Sequence, residues 1–522
     1  MRESVPAGGC VGAARGKGEI VTSPLGHRGG VTIIGAGFGG ICMAIKLRRA
    51  GIPFTILEKG DRVGGVWRDN TYPGAACDVP SHLYSYSFEP SHDWSRKYGT
   101  QPEIQSYIEY CARKYGIIDH VRFGQEVTRA SFDESAAQWT LETADGGTVN
   151  SAFLVAATGQ LSLPADPQFP GMERFTGHAF HSARWDHDYD LRGKRVAVVG
   201  TGASAIQFVP EVARQAQQMY VLQRSAPYVL PKPDRRYTPL EKYLYRHFTG
   251  SLVASRTRQY VYHEARVIPL TKGVGIKALE RGWERYLRSQ VSDEALRAKL
   301  RPDYPIGCKR VLLSNDWYAA LSRPNVEVIA AGLTEVRPGS IVAADGSECD
   351  VDTIIFGTGF AANDFLAPMT IVGRDGRRLH DVWQERGGAE AFKGIAVSGF
   401  PNLFILYGPN TNLGHNSIIY MLESQADYVL EAIRHAATHG ARWLDVRPAA
   451  HDEYNDDLQR SLKKTVWQRG CDSWYVTEAG KNTNNWPSFT FDYRRQTRFF
   501  DPVHYQTDAA EPSQLISTGV HP

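Results

Sequence analysis

Val31-Thr32-Ile33-Ile34-Gly35-Ala36-Gly37-Phe38-Gly39-Gly40 is the stretch from which the fold can be read. Four apolar or β-branched residues in a row predict a buried parallel strand. The glycines that follow fit G-x-G-x-x-G, with Gly40 completing the motif. Gly35 permits the tight turn, and Gly37 lets the backbone approach a pyrophosphate at the N-terminus of the next helix. That helix is expected over Ile41 to Arg49, Gly51 stops it, and Phe54 to Leu57 reads as a second strand. Glu58 closes the strand, 23 residues after Gly35. A carboxylate there accepts hydrogen bonds from a ribose 2′-hydroxyl, so the bound adenosine is unphosphorylated, as in FAD or NAD. An ordinary Gly-rich turn would explain the glycines but not the strand, the helix and the acid together.

The same order of elements returns downstream. Arg195 to Val199 predicts a strand, Gly200-Thr201-Gly202-Ala203-Ser204-Ala205 the turn, Ala205 to Ala213 a helix and Met219 to Leu222 a strand. Counting 23 residues from Gly200 reaches Gln223, with Arg224 next. A neutral residue followed by a guanidinium favours a 2′-phosphate, bound through charge-assisted hydrogen bonds. The second site therefore predicts NADPH, with Gly200, Gly202, Ser204, Gln207, Arg224 and Ser225 as its candidate residues. Ala157-Thr158-Gly159 and Gly357-Thr358-Gly359 each end an apolar run. A glycine there lets a returning strand pass close to a nucleotide.

Composition narrows the class. The 522 residues are 42% apolar with a net charge of +3, which suits several globular domains and points to neither nucleic acid nor an anionic membrane. No apolar run approaches the ~18 residues of a membrane span. Seven scattered cysteines without a C-x-x-C pair predict reduced thiols and a cytoplasmic location. No metal-ligand set is read. Residues 1–30 lack a secretory pattern and read as a disordered tail.

Two longer patterns lie between the glycine motifs. Phe175, Gly177, His181 and Trp185 occupy F-x-G-x-x-x-H-x-x-x-W, with Asp186 next. Gly64-Gly65-Val66-Trp67, Tyr72-Pro73-Gly74 and Asp78 occupy G-G-x-W-x-x-x-x-Y-P-G-x-x-x-D. In these patterns the chain resembles the type I Baeyer–Villiger monooxygenases, over roughly Val31 to Trp486. The resemblance implies FAD, NADPH and O2, and oxygen insertion beside a ketone carbonyl through a C4a-peroxyflavin stabilised by Arg310. It implies that Gly65, Trp67 and Tyr84 lie against the flavin. Asp78 and Arg310 match the family's active-site pair. Lys309 matches a lysine near the 2′-phosphate, and Trp474 a tryptophan on the nicotinamide ribose. The Phe175–Trp185 fingerprint implies coupling between domains. Phe400-Pro401-Asn402 and Gly408-Pro409-Asn410-Thr411 are also similar to flavin monooxygenases acting on nitrogen or sulfur. Heteroatom oxygenation thus stands as the alternative reaction, and a non-catalytic flavin redox sensor as the alternative class.

The expected architecture is α/β, with two Rossmann-like units, the second inserted in the first. The first unit takes 31–160 and 353–500, and the second takes 161–352 with a helical insertion near 231–303. Residues 501–522 are expected to be a tail.

Overall fold

The computed structural model describes residues 30–165, 167–470 and 473–508. The expected tail at 1–30 lies outside them, apart from Gly30. Two five-stranded parallel sheets form the frame. In the first, the strand Val31–Ile34 lies between Phe54–Glu58 and Phe153–Ala156. Val121–Phe123 extends one side and Leu403–Ile405 the other. The sheet is thus completed by a segment from far along the chain, and its order reverses at the first strand. Such a reversal opens a crevice at the carboxyl ends of the strands. All four residues of Val31–Ile34 are buried, as a strand covered on both faces requires. The helices Phe38–Arg49 and Ile418–His439 contribute to the same apolar cluster.

The second sheet runs Val326–Ile329, Gln218–Leu222, Arg195–Val199, Thr353–Phe356, His178–His181. Thr353–Phe356, expected in the returning part of the first unit, instead pairs with Arg195–Val199 in the second sheet. Two buried apolar strands look alike in sequence, and only their hydrogen-bonded neighbours tell them apart. The chain rejoins the first sheet later, at Leu403.

Five helices between Pro239 and Lys299 form the expected insertion. An unforeseen four-stranded sheet joins Val127–Asp133, Gln138–Thr143 and Thr148–Ser151 to Thr370–Val372. The expected tail at 501 begins too early. Tyr505–Thr507 pairs with Leu444–Val446, and residues 509–522 lie outside the described part. Cys42, Cys77, Cys111 and Cys349 are free thiols. Cys308 is disulfide-bonded, against the expectation of reduced thiols, because spacing along the chain does not report proximity in the fold.

Candidate active site

Both glycine motifs open onto one cavity of about 1030 Å³. At its first end, Gly35 has φ +99°, and a side chain there would strike the Ala157 carbonyl at 2.7 Å. A Cβ on Gly65 would come within 3.2 Å of the Gly37 Cα. Two bare backbones therefore face each other across the crevice, leaving room for a flat, charged ligand. Gly40 does not line the cavity. Its Cα packs so tightly that a Cβ would fall 1.9 Å from the Gly35 carbonyl oxygen. It sets the distance between helix and strand, which is the packing role of the third glycine.

Glu58 is buried on the cavity wall. One carboxylate oxygen accepts from the Ala36 N–H (2.7 Å), the other from Gly60 N–H (2.8 Å) and Arg68 Nη1 (2.7 Å). A carboxylate offers about four lone-pair sites, so one remains for a ribose hydroxyl. Sequence reasoning missed Arg68, whose charge compensates Glu58 at the wall. Trp67 donates from Nε1 to the Tyr84 hydroxyl at 3.0 Å, and the rings meet edge-on 5.6 Å apart. Gly65, Trp67 and Tyr84 all line the cavity.

At the second end, a Cβ on Gly202 would meet nothing within 4 Å, so the turn is open to the cavity. Gln223 is buried and turned away, donating to the Lys299 carbonyl at 2.8 Å. Arg224 is exposed on the cavity rim and enters no ion pair among the described residues. Lys309 Nζ donates to the Ser225 hydroxyl at 3.1 Å and lies over the Tyr304 ring. Neutral slot, guanidinium, ammonium and hydroxyl together suit a 2′-phosphate. Ser204 lines the same end, but the Gln207 side chain accepts from the Ala76 N–H at 2.8 Å and so joins the two units. Trp474, 42% exposed, also faces the cavity.

Arg310 and Asp78 meet between these ends. Arg310 donates to one carboxylate oxygen of Asp78 from Nη2 (2.5 Å) and Nε (3.1 Å), and to the Leu413 carbonyl from Nη1 (3.4 Å). About a third of each side chain is exposed, 31% and 32%, and both line the cavity. Burial alone would raise the Asp78 carboxyl, but the Arg310 charge and hydrogen bond hold it below the usual carboxylate range. The Asp78 charge in turn raises Arg310 further above its ordinary value. The pair is therefore a fixed ion pair, with the cation held in place on the cavity side. Tyr407, which the sequence reading passed over, lines the same stretch and donates to Asn412 at 2.8 Å. Its only signal was its position beside the Gly408-Pro409-Asn410 motif.

The fingerprint residues Phe175, Gly177, His181 and Trp185 do not line this cavity. His181 ends the edge strand of the second sheet, and its Nδ1 accepts from the Ala183 N–H at 3.0 Å. Trp185 packs on Phe208 (5.4 Å between ring centres), and Phe208 packs on Tyr72 (6.0 Å). An aromatic chain therefore runs from the fingerprint to the loop that carries Asp78. A Cβ on Gly177 would fall 2.4 Å from the Asp352 carbonyl oxygen and 2.6 Å from the Phe175 ring, so glycine lets the backbone pass close to both.

Crevice, paired glycine turns and a caged guanidinium define a two-nucleotide flavoprotein. A family described as flavin-binding monooxygenase-like matches residues 28–372. A Baeyer–Villiger monooxygenase of Streptomyces coelicolor is 45% identical over 93% of this chain and 94% of its own. One from Pseudomonas aeruginosa is 46% identical over 91% and 90%. Among solved structures, cyclohexanone monooxygenase from Rhodococcus sp. Phi1 bound to NADP+ superposes with a TM-score of 0.81 at 27% identity, over 92% of this chain and 99% of that one. An oxidised steroid monooxygenase bound to NADP gives 0.80 at 32%, over 90% and 96%. The chain belongs to the flavin-binding monooxygenase-like family and, within it, to the Baeyer–Villiger monooxygenases.

Proposed function

We propose that the chain binds FAD at the Gly35 turn and NADPH at the Gly200 turn, and converts a ketone to an ester or lactone. Ketone, O2, NADPH and a proton give ester, water and NADP+. The two bound cofactors supply hydride and O2 activation. The chain's own residues position, neutralise and exclude water. Glu58 takes the unphosphorylated ribose, while Arg224 and Lys309 take the 2′-phosphate. The observation that carries the reading is Arg310, a permanently charged guanidinium clamped by Asp78 inside the cavity that both turns share. When oxygen attacks a ketone, negative charge gathers on the former carbonyl oxygen. A cation already aimed there needs no reorganisation to stabilise it. The test is NADPH consumption against a panel of ketones, sulfides and amines, with product identification. Esters from ketones support the reading; turnover of sulfides or amines with no ketone oxidised would replace it with heteroatom oxygenation.

Arg224→Ala is expected to raise the NADPH KM on the order of 10- to 100-fold, the loss of a charge-assisted pair, and to leave the NADH KM nearly unchanged. Steady-state kinetics with both cofactors checks this; an equal loss with each would remove the 2′-phosphate assignment. His181→Ala is expected to slow turnover on the order of 10- to 100-fold through misplacement, while FAD stays bound. If the histidine acts through domain coupling, the pH–rate profile keeps its shape. Loss of a limb near an ordinary histidine pKa of about 6.5 would instead make it a proton-transfer group.

A further inference from the structure

The helix Thr249–Ala265 is built inside out. Its buried face carries one apolar residue, Leu252, and four polar or charged ones, Ser255, Gln259, His263 and Glu264. Its exposed surface carries Val253, Val261 and Tyr262, which are 55%, 60% and 63% exposed. A helix covered by water has the opposite pattern. The neighbouring helix Pro239–His247 repeats the feature, with Leu240, Tyr243 and Leu244 exposed at one-turn spacing. Of the sixteen large apolar residues exposed among the described residues, ten fall between Pro239 and Gln290, a tenth of the chain.

Inward polar groups of this helix bond to the rest of the protein. Glu264 accepts from Thr490 N–H (2.5 Å), the Thr490 hydroxyl (2.9 Å) and Asn416 Nδ2 (2.5 Å). His82 meets the Ser255 hydroxyl at 3.0 Å. The helix is thus anchored to the rest of the protein through polar contacts, and its exposed apolar residues are left for something else.

Charge says what that is. Between Pro239 and Gln290 ten Lys and Arg face four Glu, a net +6, whereas the whole chain is only +3. The remainder is therefore net negative, and the whole-chain value conceals the asymmetry. Arg258, Lys272, Lys277, Arg281 and Arg285 enter no ion pair among the described residues. A second copy is a poor occupant, because a two-fold interface sets the same patch against itself and would oppose two +6 surfaces. An apolar face interspersed with tyrosines and unpaired cations has the composition of a segment that lies in the plane of a negatively charged bilayer.

We propose that the helical insertion docks on an anionic lipid surface, its exposed apolar residues entering the headgroup region and its cations meeting the lipid phosphates. Among the described residues no helix is long and apolar enough to cross a membrane, so the docking is to a surface. The inner side of the same helix holds Asn416, which lines the cavity. Docking therefore places the site one helix away from the bilayer.

The test is flotation of the FAD-loaded enzyme with vesicles of phosphatidylcholine alone and with a third phosphatidylglycerol. Binding is expected to the mixed vesicles, to be at least tenfold weaker to phosphatidylcholine, and to fall with added salt. Val261→Glu with Tyr262→Glu should abolish it. Lys277→Glu with Arg281→Glu should weaken it on the order of 10- to 100-fold. All variants should keep bound flavin and the wild-type rate of NADPH oxidation in buffer, which shows that the fold is intact. Absence of binding to the anionic vesicles at low salt overturns the proposal. So does binding that the Val261 and Tyr262 substitutions leave unchanged. Sedimentation showing a dimer that those substitutions disperse, with no vesicle binding, would assign the face to a second copy instead.

Discussion

Arg310→Ala is expected to retain FAD and NADPH but to form essentially no ester, with the oxygenation rate down on the order of 10²–10³ or more. That is the usual loss when one well-aimed stabiliser of developing charge is removed. Here the loss is compounded, because Asp78 would lose the guanidinium that now neutralises it at 2.5 Å and face the cavity with only the more weakly acting Lys232 and Arg266 charges. A negative group beside a developing oxyanion opposes it. The decisive quantity is ester formed per NADPH consumed. It should collapse, and the electrons should appear as hydrogen peroxide. Arg310→Lys should recover little. The guanidinium makes three bonds from three nitrogens, to Asp78 and to Leu413, which an ammonium on a flexible stem cannot reproduce together. Near wild-type coupling in Arg310→Ala would remove this arginine from the oxygenation step.

Gly40→Ala is expected to abolish FAD binding by disrupting the first sheet, through a single methyl group. The added carbon would sit 1.9 Å from the Gly35 carbonyl oxygen. That carbonyl cannot retreat, since Gly35 donates its N–H to Leu57 at 2.8 Å and lies against Ala157 on its other side. The helix Phe38–Arg49 must therefore lift off the sheet. Overpacking a core typically costs about 1–3 kcal/mol and occasionally more, and a contact with rigid backbone belongs at the upper end. The variant should purify colourless, with a lowered urea midpoint. Gly202→Ala makes the contrast. Its Cβ meets nothing within 4 Å, so the fold should survive, while the methyl intrudes where a pyrophosphate would approach and raises the NADPH KM. A yellow Gly40→Ala protein with an unchanged midpoint would refute the packing role.

The same contrast marks how far the sequence could be read. Both motifs show G-x-G-x-x-G/A, and position in the motif already separates the ligand-facing Gly37 and Gly202 from the spacer Gly40; only the structure shows how little room Gly40 leaves beside the Gly35 carbonyl. The strand–turn–helix–strand order, Glu58 and the Gln223–Arg224 pair were legible because they are local, set by periodicity and by counting from a turn. Arg68 escaped because its partner Glu58 is neutralised through a side chain ten residues away, which no period predicts.

By itself, the sequence supplied two nucleotide-binding units, an expectation that the second takes a 2′-phosphate, and the short patterns that carry the family resemblance. Each of these rests on residues within about 25 positions of one another. Only the tertiary structure decided that Arg310 reaches Asp78 across 232 positions, and that Thr353–Phe356 lies in the second sheet. It also decided that Trp185, Phe208 and Tyr72 form one chain of rings, and that the helix Thr249–Ala265 turns its polar side inward. The reason is common to all four. Strand partners, ion pairs and the buried side of a helix are settled by what packs against them, and that neighbour comes from elsewhere in the chain.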